Sequence, residues 1–321
     1  MNFPVFDLHC DTALALLGKG YDSCGNLRNN SHHIDLDRAS VLPGYAQCFA
    51  CYTTTKEYPG GLSPVAVFER ELAAILTQIE ANADKIALAY SAAQIETNRK
   101  KGIFSGILTI EGPAGIDFNP ELLEDLYKIG FRMTTLSWNE KNPLTGSHVT
   151  GGGLTDLGRE YVRQAQRVGL LVDVSHISDE AFWDIMEITN APIVASHSNS
   201  RAVWNVSRNL TDDMFRAICQ TGGVAGINLY SDFLGENPDL ATVGEHIRHF
   251  LDLDPTGIHI ALGGDLDGCD RLPACFAGVQ DYPKLAESLL NAGLGEDQVM
   301  NIFWNNAIGV IDHAVYKHPQ S

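Results

Sequence analysis

Short apolar runs alternate with amphipathic helical stretches along nearly the whole chain, and no other feature constrains the fold as strongly. Strands separated by helices are joined by crossover connections, which make them parallel. We therefore predict an α/β protein in which residues 1–321 form a single catalytic domain, a (β/α)8 barrel of the TIM type. Nine strand-like runs are predicted, at Val5–Leu8, Gln47–Tyr52, Ile86–Tyr90, Gly106–Ile110, Phe131–Leu136, Gly169–Val174, Pro192–Ala195, Gly223–Leu229 and His259–Leu262.

An eight-stranded barrel leaves one of these runs outside, and we assign Ile86–Tyr90 as an outer addition. A doubly wound open sheet is the alternative fold, but the glycine-rich phosphate loop typical of it is missing after the first strand. Apolar spacing predicts helices over residues 64–83, 92–101, 120–129, 155–168, 242–253, 282–291 and 296–307, with further helices starting at Ser178 and Thr211.

The composition excludes several classes of partner. A formal net charge of −18 repels phosphate backbones and anionic lipids, so we expect neither nucleic acid nor membrane as a partner. No apolar run is long enough to span a membrane, and neither a signal peptide nor a hydrophobic anchor tail is predicted. Seven scattered cysteines do not form a disulfide framework, which favours a reducing, cytoplasmic location. The oligomeric state is open, a homodimer included.

Cys48 and Cys51 have the spacing of a redox motif. They lie inside a strand-like run rather than at a helix start, where such thiols are activated. Buried apolar cysteines are the alternative, and we favour it.

Polar residues of the types that bind metals stand at the carboxyl ends of several predicted strands. In a barrel these ends meet on one face, which is where barrel active sites lie. The alternative for each residue is a polar side chain satisfied locally at a loop start, such as a buried histidine bonded to a nearby acid. The set comprises His9, Asp11, Glu111, His176, His197 and Asp265.

Three imidazoles and three carboxylates are enough to serve two metal ions. His9 and Asp11 are two residues apart on an extended strand and project to the same side, where they would hold one ion. His176 and His197 would hold the other, and Glu111 has two oxygens with which to bridge. Because no cysteine is in the set, a structural thiolate site is excluded; mixed N/O ligation suits catalytic zinc and tolerates other divalent metals.

Asp265 would then act as the acid/base that takes a proton from water and passes it to a leaving amine. Two metal ions a few ångströms apart can share a hydroxide and polarise a carbonyl oxygen.

Five motifs resemble the membrane dipeptidase (renal dipeptidase) family of zinc metallopeptidases. They are His9-Cys10-Asp11, Glu111-Gly112, Asp173-Val174-Ser175-His176, Ser196-His197-Ser198 and Gly263-Gly264-Asp265-Leu266-Asp267-Gly268. The separation of 21 residues between His176 and His197 also matches, as does Arg208 followed by Asn209. The resemblance covers nearly the whole chain and implies a (β/α)8 barrel with a binuclear zinc centre that cleaves dipeptides.

The resemblance also implies a role for each matching residue. His9 and Asp11 bind the first of two zinc ions, His176 and His197 bind the second, and Glu111 bridges them. Asp265 transfers the proton, and Arg208 contacts substrate through a bidentate pair with the terminal carboxylate. Without the resemblance, Arg208 is a solvated residue of a polar loop. Asp267 is expected to be structural, orienting the glycine turn.

Two positions depart from the family pattern. Trp138 stands where animal members carry a substrate-contacting histidine, and Phe233 replaces a substrate-contacting tyrosine. Trp138 offers one N–H and a large apolar face, so either it lines the substrate site or it packs in the core. Polar residues of the loop over 139–153, such as Asn139, Asn142 and His148, are candidates for substitute contacts.

Three hypotheses follow. The first is a metal-dependent dipeptidase in which a hydroxide bridging two zinc ions attacks the peptide bond, with an open pocket that admits a D-residue at the C-terminal position. The second is a binuclear-metal amidohydrolase acting on another small amide, such as an N-acyl amino acid or a lactam. The third is a metal-dependent binding protein without catalysis, which the retained Asp265 disfavours.

Overall fold

The strands of the protein form one parallel sheet that closes on itself. The structure, a computed structural model, describes residues 3–23 and 25–316. Within these residues the strands are β1 Val5–Cys10, β2 Tyr45–Tyr52, β3 Ile86–Leu88, β4 Phe104–Glu111, β5 Phe131–Thr135, β6 Leu171–Asp173, β7 Ile193–Ala195, β8 Val224–Ile227 and β9 Ile260–Leu262. All nine predicted runs are therefore confirmed as strands, with ends that differ by up to two residues.

Pairing between β2 and β4 closes the sheet into an eight-stranded barrel. The order around the sheet is β2-β1-β9-β8-β7-β6-β5-β4, and β2 pairs with β4 along seven residue pairs from Ala46↔Ser105 to Tyr52↔Glu111. β3 pairs with the first three residues of β4, Phe104–Gly106. From Leu108 onward, the same edge of β4 pairs with β5 instead. The predicted (β/α)8 barrel with Ile86–Tyr90 as an outer addition is confirmed, and the open-sheet alternative is wrong because closure leaves the eight barrel strands without a free edge.

Helices connect the strands and surround them. They are α1 Thr12–Leu17, α2 Leu36–Ala39, α3 Pro64–Ala81, α4 Ala92–Lys100, α5 Leu123–Ile129, α6 Asp156–Val168, α7 Asp179–Ile188, α8 Asp212–Thr221, α9 Ser231–Leu234, α10 Leu240–Leu253, α11 Tyr282–Asn291, α12 Glu296–Met300 and α13 Asn306–Tyr316. A π-helical turn, Asn301–Asn305, joins the last two. The predicted helices are confirmed, except that the last of them, predicted over 296–307, is two helices joined by that turn and continues to Tyr316. The side chains of Ser178 and Thr211 cap α7 and α8. The short helices α1, α2 and α9 were not predicted, because four to six residues give too little apolar periodicity.

The barrel interior is filled from below by the C-terminal helical segment. Side chains of the strand interior, such as Phe6 and Met133, form one apolar cluster with Trp304 and Val310. The rings of Phe6 and Trp304 lie 6.0 Å apart between centroids. The lower half of the barrel is thus a packed core, which leaves only the carboxyl ends of the strands open for a site.

The two cysteines with redox spacing face opposite sides of β2. Cys48 packs in the barrel interior, whereas Cys51 packs in the layer between the strands and the outer helices. Both are fully buried, and burial raises the pKa of each thiol well above its ordinary value. They are buried apolar residues, as favoured from the sequence, because positions three apart on a strand point in opposite directions.

No helix within the described ranges is both long enough and apolar enough to cross a bilayer.

We predict that Gly226→Ala destabilises the protein, because an added Cβ would lie 1.9 Å from the carbonyl oxygen of Ser196 on the neighbouring segment. Relief of a backbone clash requires β7 and β8 to separate, at a cost of about 1–3 kcal/mol or more. Urea unfolding followed by circular dichroism measures the loss. Gly309→Ala is the matched control, because its Cβ meets no atom within 4 Å at an exposed position of α13, and it should be neutral or stabilising. Equal stability of the two variants would contradict the strand geometry.

Candidate active site and metal centre

All six residues predicted from the strand ends lie buried on one face of the barrel. His9 is in β1 and Glu111 ends β4, so the backbone of the strands positions both directly. The others follow the ends of β1, β6, β7 and β9 by one to three residues. Exposed fractions range from 0% to 8% for His9, Asp11, Glu111, His176, His197 and Asp265.

Glu111 lies at the centre of the set. Its Oε2 is 3.4 Å from His9 Nε2. Its Oε1 is 3.0 Å from His176 Nε2 and 3.9 Å from His197 Nε2. The two carboxylate oxygens therefore face two different groups of imidazoles, which is the arrangement expected of a bridging ligand.

His176 and His197 turn the same nitrogen toward each other. Their Nε2 atoms are 2.9 Å apart. The Nδ1 of His176 lies 2.9 Å from the Asn139 side-chain oxygen, which can only accept, so the proton sits on Nδ1.

The same reasoning assigns the proton of His197. Its Nδ1 lies 2.6 Å from the Ser196 hydroxyl, and that hydroxyl donates to Asp173 Oδ2. The hydroxyl proton is thus directed at the carboxylate, and Nδ1 of His197 is the donor to the serine oxygen. Two unprotonated Nε2 lone pairs then face one another, and burial lowers the pKa of both imidazoles well below the ordinary value.

Two further buried atoms of the site lack a partner. Among the described residues, neither His9 Nε2 nor Asp11 Oδ1 has a hydrogen-bond partner. His9 Nε2 lies 3.4 Å from Asp11 Oδ2 and 3.9 Å from Asp265 Oδ1. Buried polar atoms are rarely left unpaired in native proteins, because desolvation without compensation is costly. These orphaned atoms and the facing lone pairs fit divalent cations, and the N/O donor set fits zinc.

The electrostatics of the site reflect three carboxylates buried together. Burial, and then the charge of Asp11, raises the pKa of Glu111 to about 8. Burial is likewise the first cause that raises the pKa of Asp265, to about 6. Burial alone would lower the pKa of His9, but Glu111 and Asp11 outweigh it and raise that pKa well above its ordinary value. A cation at this position would offset the charges of the carboxylates and lower the pKa values of Glu111 and Asp265.

Asp7, beneath the site, ties the first strand to the last. Its Oδ1 accepts hydrogen bonds from the backbone of His9 at 2.9 Å and of Gly264 at 3.0 Å, and Tyr282 donates its hydroxyl to Oδ2. The backbone N–H of Asp265 donates to the His9 carbonyl at 3.2 Å. A metal-ligand candidate and the proposed acid/base are thus held in one hydrogen-bonded unit.

Asn228 is a functional residue that sequence reasoning missed. Its side-chain amide donates to Asp265 Oδ2 at 3.0 Å and to the His197 carbonyl at 3.2 Å. It follows β8 directly, so the strand-end rule that identified the other residues would also have found it. We overlooked it because an asparagine is not a typical zinc ligand.

The loop after β9 is built closely around the carboxylates. A Cβ at Gly268 would lie 2.0 Å from Asp11 Oδ2 and 2.6 Å from Asp265 Oδ1, so only glycine fits. Asp265 and Asp267 have φ values of 57° and 68°, in the left-handed region that side chains rarely adopt. Asp267 accepts from the Thr12 hydroxyl at 2.7 Å, which agrees with the structural role expected of it.

A cavity of about 260 Å³ opens above the six residues. Trp138 and Phe233 line it together with Tyr52 and Tyr230. Trp138 is half-buried, and its ring packs edge-on against Tyr52 at 5.3 Å with Lys56 Nζ 4.5 Å from its centroid. Of the two alternatives for Trp138, the structure therefore places it in the wall of the site rather than in the core.

Arg208 is buried rather than solvated. It is 4% exposed and donates from Nη1 to the Ser198 hydroxyl at 2.6 Å. Its Nε and Nη2 have no partner in the part of the chain that the structure describes. Burial lowers its pKa to about 10, so it stays cationic at neutral pH, and it lines a small cleft beside His176. A buried guanidinium with free N–H groups is suited to receive an anion.

Of the loop residues considered as substitute contacts, only Asn139 lines the cavity. Its oxygen lies within hydrogen-bond distance of both His176 Nδ1 and, at 2.8 Å, His148 Nε2. Asn142 instead accepts from the backbone of Leu144 and shapes the loop. Asn139 thus orients a predicted metal ligand, a function that its position in a polar loop does not reveal.

Known proteins resemble this chain in sequence and in fold. The model of the membrane dipeptidase family (peptidase family M19) matches residues 1–320. An uncharacterised protein of Klebsiella pneumoniae, from the pqqA 5′ region, is 32% identical over 262 residues, which are 77% of this chain and 96% of the relative.

Two solved structures share the fold over almost the full length. The metallopeptidase called dipeptidase AC, of family M19, has a TM-score of 0.87 and 26% sequence identity to this chain. The match covers 98% of this chain and 99% of that structure's chain. A metallopeptidase from Rhodobacter sphaeroides, liganded with a phosphinate mimic of the dipeptide L-Ala-D-Ala, has a TM-score of 0.89 at 24% identity over 98% of this chain and 100% of its own. The chain therefore belongs to the membrane dipeptidase family of metallopeptidases and is an enzyme of the hydrolase class.

Proposed function

We propose that the protein is a zinc dipeptidase that hydrolyses the peptide bond of small dipeptides, including those with a D-residue at the C-terminal position. The observation that carries this is the position of Glu111, whose two oxygens face His9 on one side and His176 and His197 on the other. Membership of a metallopeptidase family supports the hydrolytic chemistry.

The residues present fit two zinc ions. His9 and Asp11 would hold one ion, His176 and His197 the other, and Glu111 would bridge. Such ions, when bound, polarise a carbonyl oxygen and lower the pKa of water so that hydroxide forms at neutral pH.

Asp265 transfers the proton in this proposal. Its Oδ1 faces His9 at 3.9 Å, while Asn228 holds Oδ2. A carboxylate fixed at one oxygen and open at the other can accept the proton of the attacking water and deliver it to the departing amine nitrogen. Its pKa of about 6 lies near neutrality, where it can both accept and return a proton.

Arg208 recognises the terminal carboxylate of the substrate. The two N–H groups without a partner would be satisfied by a carboxylate, which accepts two parallel hydrogen bonds. A free carboxylate is present in every dipeptide, so this contact holds the substrate by its end rather than by its side chains.

Because the cavity walls are apolar, the shape of the cavity determines which substrate side chains are preferred. Trp138 and Phe233 offer no acceptor to a substrate amine, and the dipeptide mimic seen on the Rhodobacter sphaeroides enzyme carries a D-alanine at its C-terminal end. The same walls favour the second candidate, an amidohydrolase of N-acyl amino acids or lactams, whose substrates lack a free amine.

The six cysteines among the described residues are unpaired thiols, which supports the cytoplasmic location proposed for the protein.

The proposal predicts two zinc equivalents at the active site of each chain and hydrolysis of both L-Ala-L-Ala and L-Ala-D-Ala. Metal analysis by mass spectrometry and a dipeptide-library assay on the same sample measure both. N-acetyl-alanine and a simple lactam serve as comparison substrates. Hydrolysis of these without any cleavage of free dipeptides would favour the amidohydrolase, and two bound equivalents with no turnover of any amide would overturn both.

We expect Asp265→Asn to retain zinc and to lower kcat by a factor of about 10²–10⁴, the usual contribution of a general acid/base. Activity of the metal-loaded protein should fall on the acid side at a pH below about 6, because Asp265 must be ionised to accept the proton and bound cations lower its pKa from the value of about 6 that burial produces. Steady-state kinetics across pH measure both. Asp270→Asn, an exposed acid in the same loop, should behave as the unchanged protein. A fully active Asp265→Asn variant would exclude the role.

Arg208→Met should abolish the preference for a free C-terminal carboxylate. We expect kcat/KM for L-Ala-L-Ala to fall by about 10²-fold, since loss of a buried charge-assisted pair costs a few kcal/mol. L-Ala-L-Ala amide, which lacks the carboxylate, should be affected far less. Arg201→Met is the matched control, because Arg201 is already paired with Asp179 at 2.6 Å. An unchanged ratio between peptide and amide would show that Arg208 does not bind the carboxylate.

A further inference from the structure

We propose a second metal site, formed by Cys219, Asp254 and His259, that binds a divalent transition metal of the zinc type. One ligand atom of each residue, the thiol sulfur, a carboxylate oxygen and a ring nitrogen, lies within 4.8 Å of the other two. This site is separate from the active site and does not depend on the proposed function.

The three residues lie on the face of the barrel opposite the active site. Cys219 is near the C-terminal end of α8, which leads into the start of β8. Asp254 follows α10, and His259 directly precedes β9. The active-site residues follow the carboxyl ends of strands, whereas these three gather at the amino ends.

Packing between α8 and α10 holds two of the ligands in place. The rings of Phe215 on α8 and Phe250 on α10 stack at 4.1 Å between centroids, with planes 10° apart. Cys219 comes four residues after Phe215, and Asp254 comes four residues after Phe250. Each therefore lies on the same face of its helix as the stacked ring, one turn further along. The backbone N–H of Asp254 donates to the Phe250 carbonyl at 2.8 Å, which fixes the residue at the helix end.

His259 is oriented in the manner of a metal-bound imidazole. Its Nδ1 lies 2.7 Å from the Gly223 carbonyl oxygen, to which it can only donate. This hydrogen bond places the proton on Nδ1 and leaves Nε2 with a lone pair. Metal-binding histidines commonly use their second nitrogen in this way, which fixes both tautomer and ring orientation.

Asp254 presents a buried oxygen that nothing in the described chain satisfies. The residue is 9% exposed, its Oδ1 accepts from the Thr256 backbone at 3.2 Å and from the Thr256 hydroxyl, and its Oδ2 has no hydrogen-bond partner. No lysine or arginine of the described residues forms an ion pair with it, although a buried carboxylate is stable only when it is paired. A cation beside Cys219 and His259 would supply that pairing.

The donor set defines the class of metal. Sulfur with imidazole and carboxylate suits Zn²⁺ or Co²⁺, with water at a fourth position, and disfavours Mg²⁺ and Ca²⁺, which take oxygen ligands. Burial, and then Asp254, raises the pKa of the Cys219 thiol to about 12, so metal binding must release one proton. The thiolate and carboxylate together balance the charge of the ion. Ligand atoms around tetrahedral zinc lie about 3–4 Å apart, so shifts of about 1 Å close the set.

Titration of the metal-free protein over residues 1–321 with Co²⁺ tests the site, because a thiolate ligand gives cobalt a near-ultraviolet charge-transfer band that the active site, whose proposed ligands include no cysteine, does not produce. We expect the unchanged protein to show the band. Cys219→Ser and His259→Asn should both lack the band and should bind one equivalent of metal fewer. The asparagine amide retains the donor to Gly223 and removes the second ring nitrogen. Cys275→Ser, which alters an exposed cysteine elsewhere, is the control and should keep the band. A band that persists in Cys219→Ser, or no band in the unchanged protein, overturns the proposal.

Alkylation of the unchanged protein tests the site without any substitution. Cys219 is half-buried and accessible to iodoacetamide, and peptide mass spectrometry measures its rate of modification against that of Cys275. We expect one equivalent of zinc beyond those bound by the active site to slow modification of Cys219 at least tenfold and to leave Cys275 unchanged. Equal rates with and without this zinc would show that Cys219 is not a ligand.

Discussion

The burial of three carboxylates around one histidine is the constraint to which the rest of the site is fitted. Asp11, Glu111 and Asp265 all lie within 4 Å of His9 Nε2, in a place that water hardly reaches. Like charges at such distances repel strongly in a medium of low polarity. The protein nevertheless holds them together, with the strand backbone and the hydrogen bonds of Asp7 to fix their positions. Burial, and then the charge of Asp11, raises the pKa of Glu111, and cations bound here would relieve the repulsion between the carboxylates.

Barrel closure makes this arrangement geometrically available. β2 and β4 pair along their full common length, which brings Glu111 into the same ring of strand ends as His9. The C-terminal helix and Trp304 fill the opposite opening, so the barrel has one packed end and one reactive end. The proposed cysteine-containing site lies at the packed end, where a metal would hold helix ends together rather than contact a substrate.

The walls of the cavity and its floor have different chemistry. The floor is made of imidazoles and carboxylates, whereas Trp138 and Phe233 contribute apolar surface to the wall. Arg208 adds a cation behind His176, in a cleft that adjoins the cavity. Under the proposed function, Arg208 would recognise the charge at the C-terminal end of a substrate and the apolar wall would select it by shape, so these groups are separate from those that carry out hydrolysis.

The local pattern of the chain determined the strands, the longer helices and the six residues at the strand ends, because alternation of apolar runs and polar strand ends is a property of neighbouring residues. It also determined that Cys48 and Cys51 would be apolar core residues. The roles of Asn139 and Asn228 depended on tertiary structure, because each acts through a partner 37 residues away in the chain. Burial of Arg208, the place of Trp138 in the wall and the left-handed backbone of Asp265 were likewise decided only in the folded molecule. The physical reason is that solvent exposure, hydrogen-bond partners and strain are set by what packs against a residue, and contacts between distant segments exist only once the barrel has closed.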